Sequence, residues 1–121
     1  MEMQEWLVVF YTEESGANPV RTFLAGLDAK TQARFIRSIE QLRIRNTQAR
    51  EPLVRHLGGK LWELREESST NIYRLLYFSN TGRQVVFLHG FQEKTQETPR
   101  RVVELAQKRL DNFLARQEGE Q

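Results

Sequence analysis

Lys60-Leu61-Trp62-Glu63-Leu64-Arg65-Glu66, Ile72-Tyr73-Arg74-Leu75-Leu76-Tyr77-Phe78 and Gln84-Val85-Val86-Phe87-Leu88-His89-Gly90 are the three runs that decide the fold. Each has the length and the apolar, β-branched or aromatic content of a strand, and polar turn residues separate them. Asn80-Thr81-Gly82 is the clearest hairpin signal among those turns. In the second and third runs apolar residues fall on both parities, so both faces of the resulting sheet are expected to be at least partly covered. Arg65 and Arg74 interrupt otherwise apolar strands. A guanidinium in such a place costs several kcal/mol of desolvation, roughly, unless it is paired or opens onto a cleft.

The covering elements lie on either side of these runs. Upstream, Trp6-Leu7-Val8-Val9-Phe10-Tyr11 reads as a buried strand. Asn18-Pro19 reads as a helix start, with asparagine as cap and proline in the first turn, and that helix stops near Gly26. Asp28 can cap a second helix whose apolar side is expected to be Ala29, Ala33, Ile36, Ile39 and Leu42, with Lys30, Arg34, Arg37 and Arg45 on another side. Downstream, Thr98-Pro99 repeats the cap-then-proline start before a stripe of Val102, Val103, Ala106, Leu110, Phe113 and Leu114. The predicted order is β-α-α-β-β-β-α: a single α+β domain over residues 1–117. It has a small, mostly antiparallel sheet, two N-terminal helices and one C-terminal helix, and residues 118–121 form a frayed tail.

Composition bounds the function classes. A chain of 121 residues, 39% hydrophobic and 28% charged, is long enough for one modest core. No apolar run reaches the length of a membrane span and no secretory signal pattern opens the chain, so no membrane partner is expected. Cysteine is absent, which removes disulfides and thiolate metal sites and agrees with a cytoplasmic location. The net charge is only +2, but residues 1–15 hold four acids and no base, and residues 111–121 hold three acids against Arg116. That leaves 17 bases and 9 acids in residues 16–110, a local net of +8. A basic body with acidic ends suits a polyanionic partner, or else a surface whose charges pair with one another.

No paired-histidine motif and no Gly-rich phosphate loop is present, so neither a metal nor another cofactor is expected. What remains is a set of cations on and beside the three runs: Lys60, Arg65, Arg74 and Lys94, with His56 and His89 near them in sequence. The two arginines have two readings. They can form salt bridges, with Glu63 two residues before Arg65 on the same strand face, or grip a phosphate through bidentate hydrogen bonds. Among the aromatics, Phe91 and Tyr73 are the best placed to stack on unpaired bases. The polar segment from Gly90 to Pro99 carries Lys94 and can reach over the sheet edge.

Taken together, Lys60-Leu61-Trp62-Glu63-Leu64-Arg65, Tyr73-Arg74-Leu75-Leu76-Tyr77 and Val86-Phe87-Leu88-His89-Gly90-Phe91, followed by Lys94-Thr95 and Thr98-Pro99, resemble HigB-type toxins of the RelE/ParE superfamily. They are most similar to its phage-related addiction-module killer branch. The resemblance runs from His56 to Arg109. It implies a RelE-like fold and a metal-independent endoribonuclease that cuts translated messenger RNA in the ribosomal A site. It also implies a cognate antitoxin, often a helix-turn-helix protein of the HigA kind, in a toxin–antitoxin hetero-oligomer.

By motif position the phosphate-gripping arginines fall on Arg65 and Arg74, and the loop lysine on Lys94. Where the branch commonly has two consecutive lysines after the Gly-Phe, this chain has Glu93-Lys94. Cleavage without a metal needs three things: removal of the 2′-hydroxyl proton, neutralisation of charge on the phosphate, and protonation of the leaving oxygen. Arg74 assisted by Arg65 suits the second task, and Lys94 or His89 the third. Glu63, His56 and a lysine all stay open as the base. Lys60, His56, Phe91 and Tyr73 complete the expected RNA surface. Two rivals share the fold: a non-enzymatic ParE-like toxin that holds a protein such as DNA gyrase, and an inactive regulator that only binds an antitoxin.

Overall fold

The computed structural model describes residues 5–45 and 54–119. Its elements run β1 (Leu7–Phe10), α1 (Pro19–Ala25), α2 (Ala29–Arg45), β2 (Val54–Gly58), β3 (Leu61–Glu67), β4 (Ile72–Asn80), β5 (Gln84–Gln92) and α3 (Arg100–Gly119). The expected α+β succession is there with one strand more, making five in a single mixed sheet of order β1-β5-β4-β3-β2. Only β1, parallel to β5, departs from antiparallel pairing. The extra strand is β2. It escaped the sequence reading because Arg55, His56 and Gly58 break its apolar pattern, and only Val54 in it is fully buried. An edge strand needs no more than that. The helix α3 runs two residues beyond 117, to Gly119, and residues 120 and 121 of the expected tail lie outside the described residues.

Local chemistry sets the first two helix starts where the sequence placed them. The Asn18 side chain accepts from the Arg21 amide at 3.1 Å, with Pro19 opening α1, and Asp28 accepts from the Thr31 amide at 3.1 Å at the head of α2. The face of α2 is a correction. Its buried residues are Thr31, Phe35, Ser38 and Leu42; of the expected face Leu42 and the partly buried Ile39 reach the core, while Ala29 and Ala33 are exposed and Ile36 stands 57% exposed. Turning this way buries Phe35, the largest apolar side chain of the helix. It also lets the Ser38 hydroxyl bond to Glu66 on β3. The stripe expected on α3 holds: Val102, Ala106 and Leu110 are buried, with Val103, Phe113 and Leu114 packed beside them.

The sheet is the middle of three layers. On the α1/α2 face Leu64, Tyr73, Leu75, Tyr77, Val85 and Phe87 pack with Val20, Phe35 and Leu42. On the other face Leu61, Leu76, Phe78, Val86 and Leu88 pack under α3. The central strand β4 is therefore buried along almost its whole length, and Arg74 is its one charged residue. Among the described residues no helix is long and apolar enough to cross a membrane.

Candidate nucleic-acid interface

Strand register decides which side chains meet. Across β3, β4 and β5, Arg65 pairs with Arg74 and Arg74 with Phe91, while Glu63 pairs with Leu76 and Leu76 with His89. Paired residues share a face, so all five functional side chains stand on the side of Leu76, under α3. A bulge makes this possible. The register shifts between Leu76 and Tyr77, which pair with His89 and Phe87, so Leu88 is an extra residue in β5. Without it His89 and Phe91 would point to the α1/α2 face. The same alternation turns Gly90 toward α1, where a Cβ would stand 2.8 Å from Phe23 Cγ and 2.9 Å from Leu75 Cδ2. Glycine is what lets α1 pack that close.

Arg74 and Glu63 are both fully buried, and Arg65 retains 14% side-chain exposure. Arg65 donates from Nη2 to Glu63 Oε1 at 2.9 Å, while Arg74 Nη1 stands 4.0 Å from Glu63 Oε2. The segment after β5 roofs the pair. Arg74 donates to the Thr95 carbonyl and, at 3.3 Å, to Thr98 Oγ1, whose own hydroxyl donates to Glu63. Arg65 donates to the Gln96 carbonyl at 2.8 Å and to Gln96 Oε1 at 3.1 Å. Arg74 Nε is buried and has no hydrogen-bond partner. Burial pulls the Arg74 pKa below the ordinary arginine range; Glu63 opposes that shift and Arg65 adds to it. Of the two readings of these arginines, the ion pair with Glu63 is formed.

His89 stacks on Phe91, with ring centroids 5.8 Å apart and planes at 17°. Arg109, from α3, donates to His89 Nδ1 at 3.0 Å. Arginine has no acceptor, so the neutral ring carries its proton on Nε2. Burial first, and Arg109 second, push the His89 pKa down to about 4. His89 and Phe91 line a groove of about 430 Å³ with Gln92, Glu93, Arg101, Val102 and Leu105. Arg74 lies over the Phe91 ring at 5.5 Å.

The remaining expected residues divide. Lys94 is exposed on the roofing segment. His56 belongs to the opposite face: it pairs with Trp62, packs against it with tilted rings 4.7 Å apart and bonds the Gly59 carbonyl. Tyr73 is also on the α1/α2 face and is buried in its core, so it offers no ring to a base. Lys60 is exposed in the turn before β3, five residues and so roughly 16 Å from Arg65 along the strand. These three do not join the cluster.

Arg55 does join it, and the sequence reading missed it. It pairs with Glu63 across β2–β3 and reaches the Gln96 carbonyl at 3.5 Å. Its signal was the alternation of β2, legible only once Val54–Gly58 is taken as a strand. Among the described residues no group of three or more His, Cys, Asp or Glu gathers as a metal would need. Residues 22–111 match the sequence model of a family described as phage derived protein Gp49-like (DUF891). No curated protein matches the chain.

Proposed function

Because the chain belongs to the Gp49-like family of phage-derived proteins, associated with addiction-module toxins of the RelE/ParE-like type, we propose that it is the toxin of a type II toxin–antitoxin pair. In this reading it is a metal-independent endoribonuclease of the HigB kind that cuts messenger RNA on the ribosome. The supporting observation is the convergence of Arg55, Arg65 and Arg74 on one end of the α3 face, beside exposed Lys94. Guanidinia stay charged and can hold two phosphate oxygens at once, which suits the charge that grows on a phosphate under attack by the neighbouring 2′-hydroxyl.

The geometry narrows the roles. Glu63 is a poor base, since its oxygens are engaged by Arg65 and Thr98. His56 faces the other way. His89, with a pKa of about 4, is neutral near pH 7 and serves as an Nε2–H donor rather than as an imidazolium acid. Protonation of the leaving oxygen then falls to Lys94. The ribosome supplies the alignment of the message, which is why so sparse a site suffices. A cognate antitoxin, of the helix-turn-helix HigA-like kind, would neutralise the toxin by covering the basic face.

One observation favours the non-enzymatic ParE-like reading: Arg74 is fully buried beneath the segment that roofs it. Induced expression separates the two. Mapping of messenger-RNA ends is expected to show cuts confined to translated messages, with unchanged plasmid supercoiling. Growth arrest without new ends, accompanied by altered supercoiling, would overturn the nuclease reading.

A further inference from the structure

The roof over the arginines is made of oxygen atoms. The Thr95 carbonyl and Thr98 hydroxyl receive Arg74, the Gln96 carbonyl and side-chain oxygen receive Arg65, and Arg55 also turns to the Gln96 carbonyl. Every one of these acceptors is neutral. They leave the buried Arg74 imperfectly served, with Nε unpartnered and the nearest carboxylate oxygen 4.0 Å from Nη1. A neutral acceptor gives a guanidinium a hydrogen bond but no opposite charge, whereas an anionic oxygen adds Coulombic attraction to the same bond. A phosphate diester carries two such oxygens in the spacing a guanidinium fork matches.

We propose that the segment Thr95–Thr98 is a self-inhibitory strap: an internal stand-in for the RNA phosphate, which RNA must lift to reach Arg74. The proposal rests on the RNA-binding reading above and adds its regulation. The strap is held at both ends. Its near end is fixed where the Glu93 amide bonds the Ile72 carbonyl at 3.0 Å, and its far end where Pro99 enters α3. Between these anchors Lys94, Thr95, Gln96 and Glu97 are exposed. Thr98 is the latch, because its single hydroxyl ties the strap to Glu63 and Arg74 together. The resting protein thus keeps its most buried cation hidden until a polyanion competes for it.

The test uses the full chain and a 2′-O-methyl single-stranded oligoribonucleotide, which lacks the attacking hydroxyl and cannot be cut. Amide hydrogen exchange of residues 95–98 is followed with and without this probe. Its affinity is measured for the wild type, Thr98→Val and Gln96→Ala. The expected result is faster exchange of the strap when the probe binds. Both variants are expected to bind more tightly, by roughly 3- to 10-fold for Thr98→Val, given the usual worth of the bonds removed. Gln96 is exposed, so its variant keeps the comparison valid if Thr98→Val folds poorly.

Slower or unchanged strap exchange, no gain in affinity by either variant, or no binding by any of the three proteins overturns the proposal. Neither readout needs cleavage. A strap that lifts in a protein that cuts no message sinks only the nuclease, and cutting without strap opening sinks only the strap.

Discussion

Arg74 is the residue on which scaffold and chemistry meet. Glu63 keeps its bonds from Arg65 and Thr98 when Arg74 is removed, so Arg74→Ala, which empties a fully buried site, is expected to lower stability by roughly 1–3 kcal/mol. Glu63→Ala is expected to cost more, roughly 3–5 kcal/mol, because it strands Arg65 and Arg74 together. Urea unfolding of both variants checks this, and a near-wild-type midpoint for Glu63→Ala would show that these ion pairs bear no load. His89 makes a separate prediction. Its folded pKa of about 4 lies below the ordinary 6.5, so the unfolded chain binds the proton first as pH falls. Stability from this group is full above about pH 6.5 and is lost on the way down to about 4. Between pH 7 and pH 5 the wild type is expected to lose about 2 kcal/mol that His89→Gln does not lose, read from unfolding midpoints across that range. Equal slopes for the two proteins would remove His89 from the account. Glu63 and Arg65 were legible as a possible pair from strand alternation alone, and Arg74 joins them through the β3–β4 register. The tautomer of His89 was not, because Arg109 comes to it from twenty positions away on α3.

At the scale of elements, α2 is the clearest test of what was read and misread. The two candidate stripes share Leu42, and simple periodicity does not choose between them; the volume of Phe35 and a partner for Ser38 do. Phe35→Ala is accordingly expected to cost about 3–5 kcal/mol. Ile36→Ala is expected to stay within about 0.5 kcal/mol of wild type. Thermal melting of the two variants decides it, and the reverse order would restore the expected face. The first two helix starts, by contrast, were legible to the residue, since Asn18 and Asp28 act on amides three positions away; α3 starts one residue later than Thr98-Pro99 implied, because the Thr98 hydroxyl is spent on Glu63. β2 was not legible, because an edge strand needs an apolar residue only where it touches its neighbour. The convergence of the site was hidden for a related reason. It depends on Leu88 being an extra residue, and nothing in the run Gln84–Gly90 marks which residue bulges.

For the whole molecule, the uneven charge foreseen from composition is organised by the sheet. Arg55, Arg65 and Arg74 gather at one end, while Glu13 near the N-terminus is drawn to Arg109 at 3.3 Å. If Arg55, Arg65 and Lys94 each meet one phosphate of a single strand, log affinity is expected to fall with log salt at a slope of about −2. Arg55→Ala is expected to flatten it by about 0.7. Titration of an uncleavable oligonucleotide at several salt concentrations reads this directly, and a slope near zero would remove phosphate contact from the interface. The bulge at Leu88 also bears on how such a chain can drift over generations. A deletion inside a strand ordinarily throws every later side chain to the wrong side, as a lost letter garbles the rest of a message. Here the strand holds one residue of slack. A descendant lacking Leu88 would forfeit a buried side chain, yet a straightened β5 would still present His89 and Phe91 beside Arg74. Within this strand Leu88 is the place where length can change and meaning survive.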